Sequence, residues 1–202
     1  MIIKLMQALI PPATNTKHRA LILAATKLFH RYGFSKVSVE ELCRYADVSK
    51  VTFYRYFKGK DELILHIMTL LMEDAIQRTK AVLDGDLSLK QKFDQVIVMK
   101  QELMSAIGEE IIQGLFSYPA LHEYYLSLVQ ESYKQLRDFL LREQEQGRIN
   151  QGLNIEIFMV VIREIAAFLS RESLNRSGSK FKELVAQVNE ILVYGIFSRE
   201  LN

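Results

Sequence analysis

The sequence predicts an all-α chain, a small basic head followed by a larger helical body, on three observations. Only three prolines and nine glycines interrupt 202 residues, and no alternating valine-rich run reads as a strand. Apolar residues recur at three- and four-residue spacing over most of the length, the period of a helix face. Charge is uneven: residues 1–60 carry eleven Lys and Arg against three acids, a balance of +8, whereas residues 61–202 carry 15 against 21, a balance of −6. A polyanion-binding head on an acidic body shows such a division.

The divisions expected are an arm over 1–16, a three-helix head over 17–60 and a helical body over 61–202. The arm, MIIKLMQALI, is apolar but lacks a basic n-region and a small-residue cleavage site. Lys4 and Gln7 interrupt it and Pro11-Pro12 come next, so it is not read as a secretory signal. No segment is long and apolar enough to span a bilayer. Thr14 or Thr16 can cap a helix from Lys17 to Tyr32 that presents Leu21, Ala24, Ala25, Leu28, Phe29 and Tyr32 on one face, with Gly33 as its stop.

The central stretch is Val39 to Lys60, VEELCRYADVSKVTFYRYFKGK. Ser38 with Glu41 three residues later is a capping box, in which hydroxyl and carboxylate each satisfy a free backbone N–H. Val39, Leu42, Cys43 and Ala46 then form one apolar face. Asp47-Val48-Ser49 breaks the helix, because Asp tolerates the left-handed conformation of a sharp turn and Ser49 can cap a second helix. In that short second helix Phe53 and Phe57 face a core, and Lys50, Val51, Tyr54, Arg55 and Lys58 form the opposite stripe. Cations and phenols suit phosphates, and a small apolar side chain suits a thymine methyl. The stripe fits a DNA groove reader and, equally, the solvated face of an ordinary amphipathic helix.

The residues Ala24-Ala25, Leu28-Phe29, Tyr32-Gly33-Phe34, Ser38-Val39, Leu42, Ala46-Asp47-Val48-Ser49, Phe53-Tyr54, Tyr56-Phe57 and Lys60-Asp61-Glu62-Leu63 resemble, at these spacings, the DNA-binding head of the TetR/AcrR family of bacterial transcriptional regulators. The resemblance covers Lys17 to Leu65. It implies an all-α fold of about nine helices, a homodimer, and release from an operator when a small molecule fills the body. Carried over residue by residue, the implied DNA contacts are Ser49, Lys50, Val51, Thr52, Tyr54, Arg55 and Tyr56, with Lys60 and Ser38 on the backbone. Asp47 stands where Gly is common in that family, and Val51 where Gly or Ala is frequent.

In the body, a long helix from Asp61 to about Leu83 is the element able to carry a shift between head and body, an expectation resting on fold analogy. Further helices are expected from Ser88 to Ile107, from Glu109 to Phe116, and from Pro119 to Gln146 with Gly147 as terminator. Met99, Met104, Phe116, Tyr118, His122 and Tyr125 suit a pocket for an apolar or aromatic ligand, although any single one of them is several times more often a residue that simply fills the core between helices. The segment Ile155 to Leu169 is apolar nearly all round and needs cover on two sides. With a last helix near 180–198 it makes half of a four-helix dimer interface, through Phe158, Ile162, Ile165, Leu169, Val188 and Leu192.

No cofactor and no metal site is expected. The four histidines, His18, His30, His66 and His122, stand singly, and no phosphate loop or nucleophile motif occurs, so an enzyme is not expected. Cys43, alone on an apolar helix face, reads as a buried thiol in a reducing cytoplasm. The expected function is a ligand-responsive DNA-binding regulator, acting in the sense of repression; the alternative is a helical protein-interaction module that uses DNA as a platform.

Overall fold

The computed structural model describes residues 2–107, 119–175, 183–184, 187–188 and 190–192. Among these the fold is all-helical: α1 (Ile2–Leu9), α2 (Thr16–Tyr32), α3 (Val39–Ala46), α4 (Lys50–Tyr56), α5 (Lys60–Asp84), α6 (Leu89–Ile107), α7 (Pro119–Glu145) and α8 (Ile155–Asn175). Residues 183–184, 187–188 and 190–192 are helical again. By its internal contacts the chain forms two compact units, residues 1–79 with 99–128, and residues 80–98 with 129–202. No described helix is long and apolar enough to cross a membrane.

Local chemistry sets most helix ends. Helix α2 is capped by Asn15, whose side-chain oxygen accepts from the Lys17 N–H at 3.0 Å, rather than by Thr14 or Thr16. Asparagine is the stronger cap. Gly33 ends α2 at φ 77°, its N–H donating to the Phe29 carbonyl. Ser88 and Gln91 cap α6 reciprocally. Gly147 stops α7 at φ 73°, and the Asn154 side chain accepts from the Ile157 N–H to start α8.

The core of the first unit gathers Leu21, Ile22, Ala25 and Phe29 of α2, Leu42 and Cys43 of α3, Phe53 of α4, and Leu63, Ile64, Ile67 and Leu71 of α5. The N-terminal segment is part of it. Helix α1 buries Ile2 and Met6, and Ile10 just beyond it is buried too. Arg19 fixes the C-terminal end of α1, donating to the carbonyls of Gln7 at 2.8 Å and Ile10 at 3.2 Å, where a cation also complements the helix dipole.

The second unit packs Leu83, Phe93, Phe139, Leu140, Ile149, Ile155, Phe158 and Met159. Lys92 runs its stem through this core and donates to the Leu83 carbonyl at 2.7 Å. One of the residues expected to meet a partner turns inward instead. Phe158 is only 8% exposed and belongs to its own unit's core, with Ile162 and Leu192 packed against it. Among the described residues, the large apolar side chains that α8 leaves exposed are Ile157, Val160, Val161 and Phe168. Ile165 is half-buried, as is Val188, and the Leu169 side chain lies outside the described residues.

Candidate nucleic-acid interface

The helix-turn-helix is assembled from three capping arrangements. Ser38 makes the full capping box: its hydroxyl accepts from the Glu41 N–H at 3.2 Å, and the Glu41 carboxylate accepts from the Ser38 N–H at 2.8 Å. That hydrogen bond from the Ser38 backbone, with a further one from its hydroxyl, holds the Glu41 carboxyl below the usual carboxylate range. Asp47 then takes the left-handed conformation, φ 53° and ψ 48°, the one non-glycine residue with positive φ among those described. Buried Val48 anchors the turn, its N–H on the Cys43 carbonyl. Ser49 starts α4 by accepting from the Thr52 N–H, and its hydroxyl also lies 3.0 Å from that of Thr52.

Phe53 is fully buried and Phe57 nearly so, which pins α4 by one face. Burying one such side chain contributes about 1.5–3 kcal/mol. The opposite face is open: Val51 is 82% exposed, Tyr54 is 57% exposed, and Lys50, Arg55 and Lys58 are exposed beside them. A valine so free of protein contacts has no packing role. Ser38 and Ser49 are exposed as well, and Thr52 is half-buried.

Three of the expected contact residues are already engaged within the protein. Lys50 pairs with Glu40 at 2.6 Å, an exposed contact that raises the Lys50 pKa through the hydrogen bond and then through charge. Tyr56 is half-buried and its ring stacks on His18 at 4.7 Å, with the Arg55 guanidinium 5.3 Å from the same ring. Lys60 donates to the carbonyls of Phe34 at 2.8 Å and Val37 at 3.0 Å. It thus ties the start of α5 to the loop that precedes α3.

Sequence spacing did not disclose these partners, nor the cluster beneath Tyr56. His18 also meets Phe57 and lies 5.5 Å from His66 of α5. Burial lowers the pKa of both histidines; for His18 the proximity of His66 adds to it, and for His66 the charges of Glu62 and Glu73 oppose it. Cys43 is buried, which pushes its thiol up.

Of the residues expected to line a ligand pocket, Met99 is half-buried on α6 and borders a recess of the first unit. Phe116 and Tyr118 lie outside the described residues, as do the side chains of Met104, His122 and Tyr125.

A capped, tight-turned helix pair that presents its second helix edge-on defines a helix-turn-helix protein. Known proteins agree with this class. Residues 21–67 match the family model of bacterial regulatory proteins, tetR family. The HTH-type transcriptional regulator YvdT of Bacillus subtilis is 24% identical over 147 residues, 71% of this chain and 75% of that protein. A TetR/AcrR-family transcriptional regulator from Thermobifida fusca superposes with a TM-score of 0.71 at 17% identity, covering 90% of this chain and 98% of that one. The transcriptional regulator FadR of Bacillus subtilis, solved in complex with stearoyl-CoA, superposes with a TM-score of 0.68 at 21% identity, over 88% and 98% of the two chains. Residues 21–67 thus match the DNA-binding head of that family, and the chain shares the fold of the solved regulators.

Proposed function

We propose that the chain is a ligand-responsive transcriptional regulator, a repressor that leaves a pseudo-palindromic operator when a small apolar or aromatic molecule occupies its body. The observation that carries this reading is the exposed stripe of α4, Val51, Tyr54 and Arg55 with Lys50 and Lys58, on a helix fixed from behind by Phe53 and Phe57. Residues 17–60 form the DNA-binding part and residues 61–202 the ligand and dimerisation part.

Within the groove, Val51 and Thr52 read bases, while Lys50, Tyr54 and Arg55 hold phosphates, joined by the exposed hydroxyls of Ser38 and Ser49. Lys50 exchanges the Glu40 carboxylate for a phosphate on binding; the exchange is inexpensive because an exposed ion pair contributes little. Tyr56 and Lys60 act by positioning, through the His18 stack and the two carbonyls. Two copies meet through the exposed apolar strip of α8, Ile157, Val160, Val161 and Phe168, because a patch of this kind calls for cover. Such a regulator performs no chemistry on its effector. Bacillus subtilis FadR, which shares the fold, was solved with a ligand, stearoyl-CoA, and this supports a ligand-responsive reading of the chain.

Selection of duplexes from a random pool tests the reading. Two half-sites of inverted sequence spaced by about one helical turn are expected, and recovery of duplexes with no common motif would overturn it.

A further inference from the structure

The head carries a second basic surface beside the helix-turn-helix. An open groove of about 600 Å³ runs between α2 and α3, lined by Leu28, Tyr32, Lys36, Val37, Arg44 and Tyr45. Tyr32 and Tyr45 stay 43% and 50% exposed, and a cation lies over each ring. The Arg31 guanidinium is 5.1 Å from the Tyr32 ring, and the Lys27 ammonium is 5.2 Å from that of Tyr45. Lys27, Arg31, Lys36 and Arg44 are all exposed, so four cations flank one groove. The acid in its lining, Glu41, is already held by the Ser38 N–H at 2.8 Å and the Ser38 hydroxyl at 3.0 Å. We propose that this groove takes the phosphate backbone of the duplex beyond the half-site, so that each head grips DNA at two places.

The inference rests on the regulator reading and enlarges its DNA contact from the α4 stripe to a second surface. Chemistry selects a polyanion. Like charges gathered on one groove raise the potential over it, and a nucleic-acid strand, with one charge per about 3.4 Å of helix axis, offsets several of them at once. The tyrosines prepare the cations: a ring beneath a long charged side chain restrains it before DNA arrives, which lowers the ordering cost of binding. Their hydroxyls also suit phosphate oxygens.

Position selects DNA over an acidic protein. Glu40 and Glu41 of α3 meet opposite neighbours, Glu40 pairing with Lys50 of α4 while Glu41 lines the groove against α2. Helix α3 is therefore the wall between two basic surfaces. At its start stands Ser38, bonded to Glu41 and two residues after Lys36, and its hydroxyl belongs to the phosphate contact proposed for the helix-turn-helix. The groove thus continues the α4 surface. A duplex seated on α4 presents its own flank to the groove at high effective concentration, an advantage that a separate protein partner lacks.

The test uses the full chain and a selected duplex in two lengths, one trimmed to the two half-sites and one with about ten further base pairs, a helical turn, at each end. Fluorescence anisotropy across a salt series compares the native chain, Lys50→Ala, Arg44→Gln and the double variant Lys27→Gln with Arg31→Gln. On the extended duplex the double variant should bind about tenfold or more weakly at low salt and lower the salt slope by about two, and Arg44→Gln should lower it by about one. On the trimmed duplex both should match the native chain, whereas Lys50→Ala should lose affinity on both lengths. A loss of equal size on the two duplexes, or on neither, would overturn the inference. Labelled polyglutamate is titrated alongside: tighter binding to it than to the extended duplex, lost in the double variant, would assign the groove to an acidic protein and overturn the inference as well. A native chain that holds neither duplex would overturn the regulator reading itself, and this inference with it.

Discussion

The two units of this chain bury apolar surface in different ways. In the first, short helices end where a specific side chain or backbone conformation ends them: Asn15 and Gly33 around α2, Ser38 and Asp47 around α3, Ser49 before α4. Every one of those helices then commits a single face to one core, and α4 is left with a free stripe. In the second, long helices carry apolar residues on several sides, and α8 buries Phe158 and Met159 while exposing Ile157, Val160 and Val161. The contrast teaches that precise local termination produces a rigid presenting surface, whereas all-round hydrophobicity produces a surface that waits for a second layer.

The largest effect should come from the pin that fixes the presenting helix. Phe53→Ala should lower stability by about 3–5 kcal/mol, read as a shift in denaturant midpoint, and should abolish duplex binding. A loss below about 1 kcal/mol would mean that α4 is held by something other than its buried face.

Next is the Lys60 tether. Lys60→Met leaves the Phe34 and Val37 carbonyls without their donor, at about 1–3 kcal/mol. The same variant separates positioning from phosphate contact, since a lost phosphate contact would lower the salt slope of DNA binding by about one. The slope should stay as in the native protein.

The histidine cluster predicts a pH dependence of the first unit. His18 and His66 have folded-state pKa values below the ordinary 6.5, so on acidification the unfolded chain takes up protons first. Stability is therefore fully present above pH 6.5, is lost as pH falls from there through the lowered folded values, and then levels off. Melting temperatures recorded from pH 7.5 to 5 should show this decline, and His18→Asn with His66→Asn should flatten it. The smallest effect is expected at the turn: Asp47→Gly relieves a left-handed non-glycine residue and should stabilise by less than about 1 kcal/mol in the same unfolding assay.

Legibility in the sequence divides along the same line. The capping box at Ser38 and Glu41, the left-handed Asp47, the Ser49 cap, the Phe53 and Phe57 anchors and the open stripe all depend on neighbours within four residues, so spacing alone discloses them. Lys60 on Phe34 and Val37, His18 on Tyr56 and Arg19 on α1 depend on residues nine to thirty-eight positions away, which periodicity cannot report. Phe158, expected at a partner interface and found in the core, has a related cause. When almost every position of a helix is apolar, the pattern has no phase, and only packing against Phe139 and Leu140 decides which side turns inward.

That the exposed face of α4 grips a nucleic-acid backbone is tested most directly by fluorescence anisotropy. A selected duplex is titrated across a series of salt concentrations with the native chain and with Lys50→Ala. The log-affinity should fall linearly with log salt, and the slope should be smaller by about one in the variant. A salt-independent affinity, or a Lys50→Ala curve that overlays the native one, would contradict it.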